Sequence, residues 1–385
     1  MSRHPRARAH LPPPARRAVS AARELNWWHV LPWLLVLGVA LIEVSPLRHI
    51  RTAPLLSAAP PLAAVTMGVR GVSVLSAAAL VVGMAFGIVN APLGSTTWLV
   101  AFLSIAIVVT ASVAGSAARV RRERALSRAR RVAETAQRAL LRPLPPVLGD
   151  LRIAAVYRAA DPEARVGGDL FEVVPGGDRT RLLIGDVRGK GMPAVYLAAV
   201  VLGAFREAAV TEEDLPRVAR RCSAALLRQH AAEGWRAVAS SAPLASADDE
   251  AFVTACFVEI RGPLVRILNH GHPEPLLLAA DGVRTVTTEA GLPLGLEYLG
   301  GSSPTSTVRW NPGDRLVLIT DGVAEARDAG GEFFDVKPAL RRLRHLPPRL
   351  LPAAVVQEVL AHTGDRLDDD AAVLAVQWTP AGTVR

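Results

Sequence analysis

Residues 181–209 read RLLIGDVRGKGMPAVYLAAVVLGAFREAA, and they set the fold class of the surrounding domain. Their largely apolar, branched beginning predicts a strand over 181–187 that delivers Asp186 to a glycine-rich turn. Alanine and leucine then recur at helical spacing, which predicts a helix over 193–209. The run GDVRGKG resembles a phosphate-binding loop, but it is one residue short and no serine or threonine follows Lys190. The stretch therefore predicts a strand, an acid at its end and a helix, within a mixed α/β domain.

The segments around this stretch do not alternate regularly between strand and helix. Strands come first, then two helices, then strands, helices and a closing strand. That order argues against a doubly wound sheet and favours an α/β (α+β) domain in which sheets pack on each other with helices outside. Residues 233–250 are predicted to form a mobile loop. The other predicted strands cover 151–157, 170–174, 251–260, 264–270, 275–280, 314–321 and 371–378, and the other helices cover 214–231, 336–345 and 350–362.

Charge is divided unevenly along the 385 residues. Residues 1–142 contain 18 arginines, no lysine and four acids, a net charge of +14, whereas residues 143–385 carry a net charge of −5. A nucleic-acid-binding domain is expected to be basic, so the acidic C-terminal part argues against nucleic acid as a partner. The two cysteines, Cys222 and Cys256, belong to no CxxC or Cys/His cluster, and they predict small core residues rather than a zinc site.

The N-terminal third has the composition of a membrane region. No acid occurs between Glu43 and Glu123, and residues 71–118 contain no charged residue. Since about 20 uncharged apolar residues span a bilayer core, we predict an all-α transmembrane bundle in the lipid bilayer. Dense arginines on both flanks predict a multi-pass protein of the cell membrane whose N-terminus and C-terminal domain are both cytoplasmic. A cleaved signal peptide would account for the first helix only. The predicted spans are 27–44, 53–69, 72–89 and 98–118.

A basic helix rich in arginine and alanine is predicted to follow the last span and to end at Pro143. Its basic face suits anionic lipid headgroups. Two alternatives stay open: a solvated connector, or a short coiled coil with a second copy that makes the chain a homodimer. The predicted domains are a basic cytoplasmic tail over 1–26, the transmembrane region over 27–118, the linker helix over 119–142 and a cytoplasmic α/β domain over 143–380.

Four aspartates lie at the ends of predicted strands, each beside glycine or another acid. Strands that meet in one fold would gather these ends into an acidic cleft, which repels itself unless cations fill it. Carboxylate oxygens without histidine or thiol suit Mg²⁺ or Mn²⁺, and a pair of such ions can activate water and neutralise a phosphoryl group. Each motif alone is weak, because Asp-Gly usually marks a turn. The four are Asp169 in VGGDLFEV, Asp186 in IGDVRGKG, Asp321 in LITDGVAEA and Asp369 in LDDDAAVL.

Eight blocks in order resemble the sporulation stage II E-type branch of the metal-dependent (PPM) serine/threonine protein phosphatases. They run from about residue 136 to 378 and leave the N-terminal third uncovered. The resemblance implies a four-layer α-β-β-α sandwich that hydrolyses phosphoserine or phosphothreonine with two Mn²⁺ or Mg²⁺ ions. It also implies a phosphorylated regulatory protein as substrate, of the anti-sigma-factor-antagonist type. The blocks are AQRALLRPLPP, VGGDLFEV, IGDVRGKGMPA, FVTACF, NHGHPEPLLL, PLGL, PGDRLVLITDGVAEAR and DDDAAV.

The same resemblance implies roles for individual residues. It maps the metal-binding carboxylates onto Asp169, Asp186, Asp321 and Asp369, adds the Val187 carbonyl as a backbone ligand, and makes Asp186 and Asp321 the residues most directly involved in catalysis.

Three residues depart from the family pattern. Glu172 stands where the family usually has aspartate, so its role as a metal or water ligand is open. His270 replaces a small residue. Lys190 stands where histidine is frequent and could contact phosphate as a point charge. His272 is either a general acid or a structural histidine in a turn. The candidate phosphate-binding residues are Lys190, Arg158, Arg165 and His272.

Two other functions compete with an active phosphatase. One is a catalytically silent, membrane-tethered binding module, although retention of all four aspartates counts against it. The other is a membrane receptor that relays a signal by dimerising through residues 119–142, which is compatible with catalysis.

Overall fold

The structure is a computed structural model that describes residues 27–45, 53–90, 96–160, 168–239, 252–300 and 303–380. The chain forms two compact units, Met1–Ser127 and Arg128–Arg385. The predicted tail over 1–26 lies outside the described residues.

The N-terminal unit is helical, with a helix over each of the four predicted segments. Its helices share a core of small and branched apolar side chains that includes Val36, Leu56, Ala63 and Leu75. The fourth helix also bonds to the end of the second, because the Arg119 guanidinium donates to the Met67 carbonyl at 2.7 Å. The helices are α1 (Leu31–Val44), α2 (Ala59–Thr66), α3 (Val69–Asn90) and α4 (Thr96–Leu140), and short 3₁₀ helices cover Trp27–His29 and Ala53–Ala58.

Two helices in the described residues are long and apolar enough to cross a bilayer, Phe102–Leu140 and Met192–Thr211. The second of these lies in the C-terminal unit and is half buried there, as the core helix of a globular domain would be. Shorter apolar helices cover Leu31–Val44, Leu55–Thr66 and Val69–Ala85. The apolar helices predicted from the sequence are therefore present, while the multi-span topology stays a prediction.

The C-terminal unit contains two sheets in which every paired strand is antiparallel. Sheet A has the strand order β1-β2-β11-β10-β7-β8, and sheet B has the order β3-β4-β5-β6-β9. Central strands such as β4 and β11 are buried on both faces, which explains why their sequences are continuous apolar runs. The strands are β1 (Val147–Leu148), β2 (Leu151–Arg158), β3 (Leu170–Gly176), β4 (Arg179–Val187), β5 (Val253–Arg261), β6 (Leu264–His270), β7 (Leu276–Ala279), β8 (Gly282–Thr285), β9 (Ser306–Arg309), β10 (Arg315–Ile319) and β11 (Ala371–Trp378).

Three apolar cores stack these sheets and helices into four layers. One core lies between sheet B and two long helices, and includes Phe205 and Phe257. The second joins the inner faces of the two sheets, and the third joins sheet A to two further helices. The predicted α-β-β-α sandwich is confirmed. The helices are α5 (Met192–Thr211) and α6 (Leu215–Ala239) on sheet B, and α8 (Val336–Leu343) and α9 (Leu351–Thr363) on sheet A, with the single-turn α7 (Asp321–Ala324) between β10 and α8.

The shortest elements escape prediction from the sequence. Strands β1, β8 and β9 have four residues or fewer and are partly exposed, so they carry little apolar signal. Where the sequence suggests an Asp-Gly turn, the structure has the single turn of helix α7. Helix α6 continues to Ala239, so the loop predicted over 233–250 begins later than expected, and its remaining residues lie outside the described part of the chain.

The end of α4 is not a fully solvated connector. Ala133 is buried against Val195 of α5, with Leu140 packed against the same cluster. One face of this segment thus belongs to the C-terminal unit, whereas Val132 on another face is exposed. Pairing of residues 119–142 with a second copy stays a prediction.

Candidate functional site

The β3–β4 hairpin brings two of the four predicted aspartates together. Its register pairs Leu170 with Gly185, so one step further Asp169 faces Asp186. The Val187 N–H donates to the Gly168 carbonyl at 3.4 Å, which continues this register past the end of β3. A side chain at Gly168 would collide with Val187, because an added Cβ would lie 2.5 Å from the Val187 Cβ. Glycine at this position allows the close approach.

The other two aspartates come from neighbouring strands of sheet A. Asp321 follows β10 and begins α7, and Asp369 lies two residues before β11, which pairs with β10. The Thr320 N–H donates to the Ala372 carbonyl at 3.1 Å, so the end of β10 and the start of β11 are joined at the site. Gly322 packs so tightly on the Asp370 carbonyl that a Cβ could not fit there.

A threonine joins the two sheets at this point. The Thr320 hydroxyl donates to Asp169 Oδ2 at 3.0 Å and accepts the Ala372 N–H at 2.9 Å. It therefore ties the start of β3 in sheet B to the start of β11 in sheet A. All four predicted aspartates lie where the two sheets meet.

The electrostatics show that these acids form one cluster. Burial raises the pKa of Asp186 to about 8, with further increases from the charges of Asp321, Asp369 and Asp370. Burial also raises the pKa of Asp169, and Asp186, Asp370 and Asp321 add to the effect, while the Thr320 hydroxyl opposes it. The pKa of Asp321 is raised by burial and then by Asp369. Acids that repel one another in this way are stabilised by a nearby cation.

The donor chemistry of this cluster fits Mg²⁺ or Mn²⁺, because it consists of carboxylate oxygens and backbone carbonyls. Among the described residues, no group of three acid, histidine or cysteine side chains already stands close enough to hold one ion. The acids therefore surround a shared space without forming a finished coordination sphere. Val187, the predicted backbone ligand, is buried next to Asp186.

Lys190 contributes a positive charge beside the cluster. Its Nζ lies 3.1 Å from Asp369 Oδ2, and both side chains are about 40% exposed. The two residues line a cavity of about 320 Å³ together with Asp321. Arg327 and Arg366 also line this cavity, so its walls carry both signs of charge. Such a cavity can admit an anionic group beside the carboxylates.

The other predicted phosphate-binding residues have different environments. Arg158 is exposed at the end of β2 and takes part in none of the ion pairs found in the described residues. Arg165 lies outside the described part of the chain. His272 is buried, and its Nδ1 lies 3.2 Å from the Thr254 hydroxyl. Because burial lowers the pKa of His272 to about 3, this side chain is neutral near pH 7, which favours a structural role over that of a proton donor.

Two of the departures from the family pattern belong to the packing around the site. Glu172 is buried in β3, and its Oε2 accepts a hydrogen bond from Arg206 Nε at 2.5 Å. Its charge is not among those that raise the pKa of the aspartates. His270 packs edge-on against Phe257, and its Nδ1 lies 2.8 Å from the Leu292 carbonyl.

Three further residues of the site emerge only from the structure. Asp370 is almost fully buried and its charge raises the pKa of Asp169 and Asp186. Tyr157 and Gln137 both bond to the Asp370 carboxylate. The signals are present in the sequence, since Asp370 belongs to the DDDAAV block and Gln137 to the AQRALLRPLPP block, but neither block indicates which residue makes which contact.

The sequence model of the family described as stage II sporulation protein E (SpoIIE) matches residues 176–379, more than half of the chain. The chain belongs to this family. Among curated proteins, protein IcfG of Synechocystis sp. is 25% identical over 254 residues, which is 60% of this chain. The match spans only 39% of the length of IcfG.

Two solved structures are similar to the C-terminal unit. The SiaA-PP2C domain of Pseudomonas aeruginosa has a TM-score of 0.52 at 20% identity, and the match covers 68% of this chain and 98% of that domain. The RsbU and RsbW domains of Rv1364c from Mycobacterium tuberculosis are 26% identical with a TM-score of 0.49, over 60% of this chain and 61% of theirs. The likeness to the SiaA-PP2C domain shows that the C-terminal unit has a PP2C fold.

Proposed function

We propose that this SpoIIE-family chain is an active, metal-dependent serine/threonine protein phosphatase. The observation that carries the proposal is the cluster of Asp169, Asp186, Asp321 and Asp369, in which burial, and then mutual repulsion, raises the pKa of Asp169, Asp186 and Asp321. An acidic cluster of this kind destabilises a fold unless bound cations compensate its charge, and such clusters are therefore typical of functional sites. The family membership and the PP2C fold supply the reaction class, which is hydrolysis of a phosphate monoester.

The four aspartates and the Val187 carbonyl would hold two Mn²⁺ or Mg²⁺ ions. When bound, such ions polarise a water molecule and offset the negative charge of a phosphoryl group. The contribution of the chain is to fix the carboxylates. Thr320 holds Asp169 at 3.0 Å, and the Asp370 N–H holds Asp369 Oδ1 at 2.9 Å. We infer that Asp186 and Asp321 lie nearest to the reacting water.

Lys190 is the residue of the chain best placed to meet the phosphoryl group. Its ammonium group is tied to Asp369 and lines the cavity beside the cluster. A partly exposed lysine can move its charge by rotation about its flexible stem, so it can bind an incoming anion as a point charge. We propose Arg158 and Arg165 as weaker phosphate contacts. His272 contributes through packing, because it is buried and neutral.

The substrate proposed is a phosphorylated regulatory protein of the anti-sigma-factor-antagonist type. The support is the membership of the SpoIIE family. The exposed cavity at the cluster, with lysine and arginine in its wall, suits a phosphorylated side chain presented by a protein surface.

We also propose that the chain is anchored in the cell membrane by its N-terminal helices. The support is their apolar composition and the arginines on both flanks, a pattern that favours a cytoplasmic catalytic unit. Retention of the chain in the membrane fraction after an alkaline carbonate wash would support this anchor, and release into the wash would contradict it.

A catalytically silent signalling module is the second candidate. It would share the fold and the family membership of an active enzyme. In this case the domain would bind its regulatory partner without hydrolysing phosphate.

Activity assays separate the two candidates. The full chain, purified in detergent micelles and stripped of metal with EDTA, is assayed with p-nitrophenyl phosphate and with a phosphoserine protein. We expect no hydrolysis until Mn²⁺ or Mg²⁺ is added, and restoration after the addition. Hydrolysis that persists in EDTA would contradict the metal-dependent mechanism, and a chain inactive with both ions would favour the silent module.

A further inference from the structure

The last turns of α4 carry a buried glutamine that contacts the acid cluster. Gln137 is 2% exposed, although it lies on a helix otherwise rich in arginine. Ala133 and Leu140, on the same face of α4, pack with Val195 of α5. A glutamine is rarely buried without hydrogen-bond partners, because an unpaired amide in an apolar environment costs free energy. The burial of Gln137 therefore points to specific polar partners inside the catalytic unit.

The Gln137 amide reaches both sheets of the sandwich. Its Nε2 lies 3.4 Å from the Asp169 carbonyl, at the start of β3 in sheet B. The same nitrogen lies 3.3 Å from Asp370 Oδ2, at the start of β11 in sheet A. The Oε1 atom accepts a hydrogen bond from the Tyr157 hydroxyl at 2.9 Å. The two amide hydrogens and the amide oxygen thus all have partners.

The hydrogen-bond acceptors around Gln137 fix the orientation of its amide. The reverse orientation would point the amide oxygen at the Asp370 carboxylate and the Asp169 carbonyl, which are both acceptors. The Tyr157 hydroxyl also contacts Asp370 Oδ2, so its one proton is shared between Gln137 and Asp370. Together these groups form a closed network around a single carboxylate.

Asp370 connects this network to the predicted metal ligands. Its own N–H donates to Asp369 Oδ1 at 2.9 Å, and its Oδ1 accepts the Ala160 N–H at 2.8 Å. Gln137 therefore contacts the backbone carbonyl of Asp169 directly, and it reaches Asp369 only through the neighbouring Asp370, whose side chain it bonds. Groups that hold metal ligands in place from behind strongly affect metal affinity.

We propose that Gln137 is a positioning residue for the divalent-ion site, acting through Asp370 and the backbone of Asp169. The inference rests on the proposed metal-dependent function. Gln137 precedes residues 176–379, which the family model matches, and belongs to the AQRALLRPLPP block. Binding of the ions thus depends on the end of α4 remaining docked on the catalytic unit.

Isothermal titration calorimetry with Mn²⁺ tests this proposal on the full chain, stripped of metal in detergent micelles. Gln137→Met keeps the length of the side chain and removes its polar atoms. We expect its Mn²⁺ dissociation constant to rise by about 10–100-fold, as is typical when a group supporting a ligand is lost. At saturating Mn²⁺ the turnover of p-nitrophenyl phosphate should return towards that of the parent protein, because no ligand has been removed.

Two further variants serve as controls. Thr135→Ala changes the same helix at an exposed side chain that bonds only within α4, so its Mn²⁺ affinity should equal that of the parent protein. Tyr157→Phe removes the shared hydroxyl but keeps the ring, and it should weaken Mn²⁺ binding in the same direction by a smaller factor. If Gln137→Met does not fold, Tyr157→Phe decides the question.

The outcomes are distinct. If the parent chain binds no Mn²⁺, the proposed function fails and this inference fails with it. If the parent binds Mn²⁺ and both Gln137→Met and Tyr157→Phe bind it within about twofold of the parent, well short of the usual effect of a supporting group, only the inference is overturned. Equal weakening in Thr135→Ala would also overturn it, because the effect would then belong to α4 as a whole.

Discussion

Strand β4 carries two ionisable residues, Arg181 and Asp186, in opposite electrostatic environments. Arg181 and Glu259 are both fully buried, and Arg181 Nη2 lies 2.7 Å from Glu259 Oε2. The same guanidinium also donates to the carbonyls of Ala209, Glu212 and Glu213, at the end of α5. Every part of this positive charge is matched within the chain.

Asp186, five residues further along β4, has the reverse environment. Burial raises its pKa and the charges of Asp321, Asp369 and Asp370 raise it further, whereas a hydrogen bond from the Val187 N–H lowers that pKa. The charge at the Arg181 end of β4, which we call the closed end, is thus compensated within the chain. At the Asp186 end, the open end, the acids need a cation to compensate their charge. Five substitutions test this contrast and the residues around it, and the largest effect is expected at the acid cluster.

Removing a carboxylate from the open end should abolish activity. Loss of a group that only supports a metal ligand typically costs about 10–100-fold in activity. In Asp186→Asn and Asp321→Asn we expect a larger fall in the Mn²⁺-dependent hydrolysis of p-nitrophenyl phosphate. At a pH above the raised pKa of Asp186, which is about 8, the metal-free variants should unfold at a higher temperature than the parent, because a repelling charge is gone. A variant that keeps near-parental activity would show that these acids are not ligands.

Breaking the closed end should reduce stability instead of activity. Glu259→Gln leaves Arg181 charged and buried without its acid, which typically costs about 3–5 kcal/mol in the free energy of unfolding. Urea unfolding followed by circular dichroism measures this loss. The Mn²⁺ dissociation constant of the folded variant should stay at the parental value, and a large rise in it would mean that the two ends of β4 are not independent.

His272 should make stability depend on pH with a known sign. Its folded pKa is about 3, below the ordinary value of about 6.5, so the unfolded chain binds a proton that the folded chain does not. The folded state therefore loses stability as pH falls below 6.5, by about 2 kcal/mol between pH 7 and pH 5.

The variant His272→Gln lacks this titration. We expect the difference in unfolding free energy between parent and variant to change over that pH interval, favouring the variant at pH 5. Other titrating groups are common to both proteins and cancel in the difference. A difference that stays constant from pH 7 to pH 5 would contradict the assignment of His272 as a buried neutral side chain.

The mildest change is expected at Glu172. Glu172→Asp restores the usual family residue but shortens the arm that reaches Arg206, which also donates to the Leu140 carbonyl at 3.0 Å. We expect a loss of about 1 kcal/mol in stability, the typical value of one hydrogen bond, and no change in Mn²⁺ affinity. Tighter Mn²⁺ binding by the variant would instead make residue 172 part of the metal site.

The sequence predicts structure well where several neighbouring residues must share one property, such as being apolar. Buried strands such as β4 and β11 require continuous apolar runs, and the predicted bounds of β11 agree with the structure. The four aspartates are recognisable because each lies at the end of a predicted strand, beside glycine or another acid.

Contacts that depend on how distant segments pack are not visible in the sequence. The bond between Gln137 and Asp370 joins residues far apart in the chain, and nothing in either segment predicts it. Edge strands such as β9 escape prediction because half of their residues face solvent and carry no apolar pattern. The pairing of Glu172 with Arg206 likewise becomes visible only when α5 is placed on sheet B.

The metal-dependent mechanism requires that the acids of the two sheets share divalent ions. The decisive measurement is a crystal structure of the full chain grown with Mn²⁺, with anomalous scattering recorded at the manganese edge. We expect two anomalous peaks within coordination distance of Asp169, Asp186, Asp321 and Asp369. Strong peaks bound elsewhere in the protein, with none at these aspartates, would contradict the mechanism.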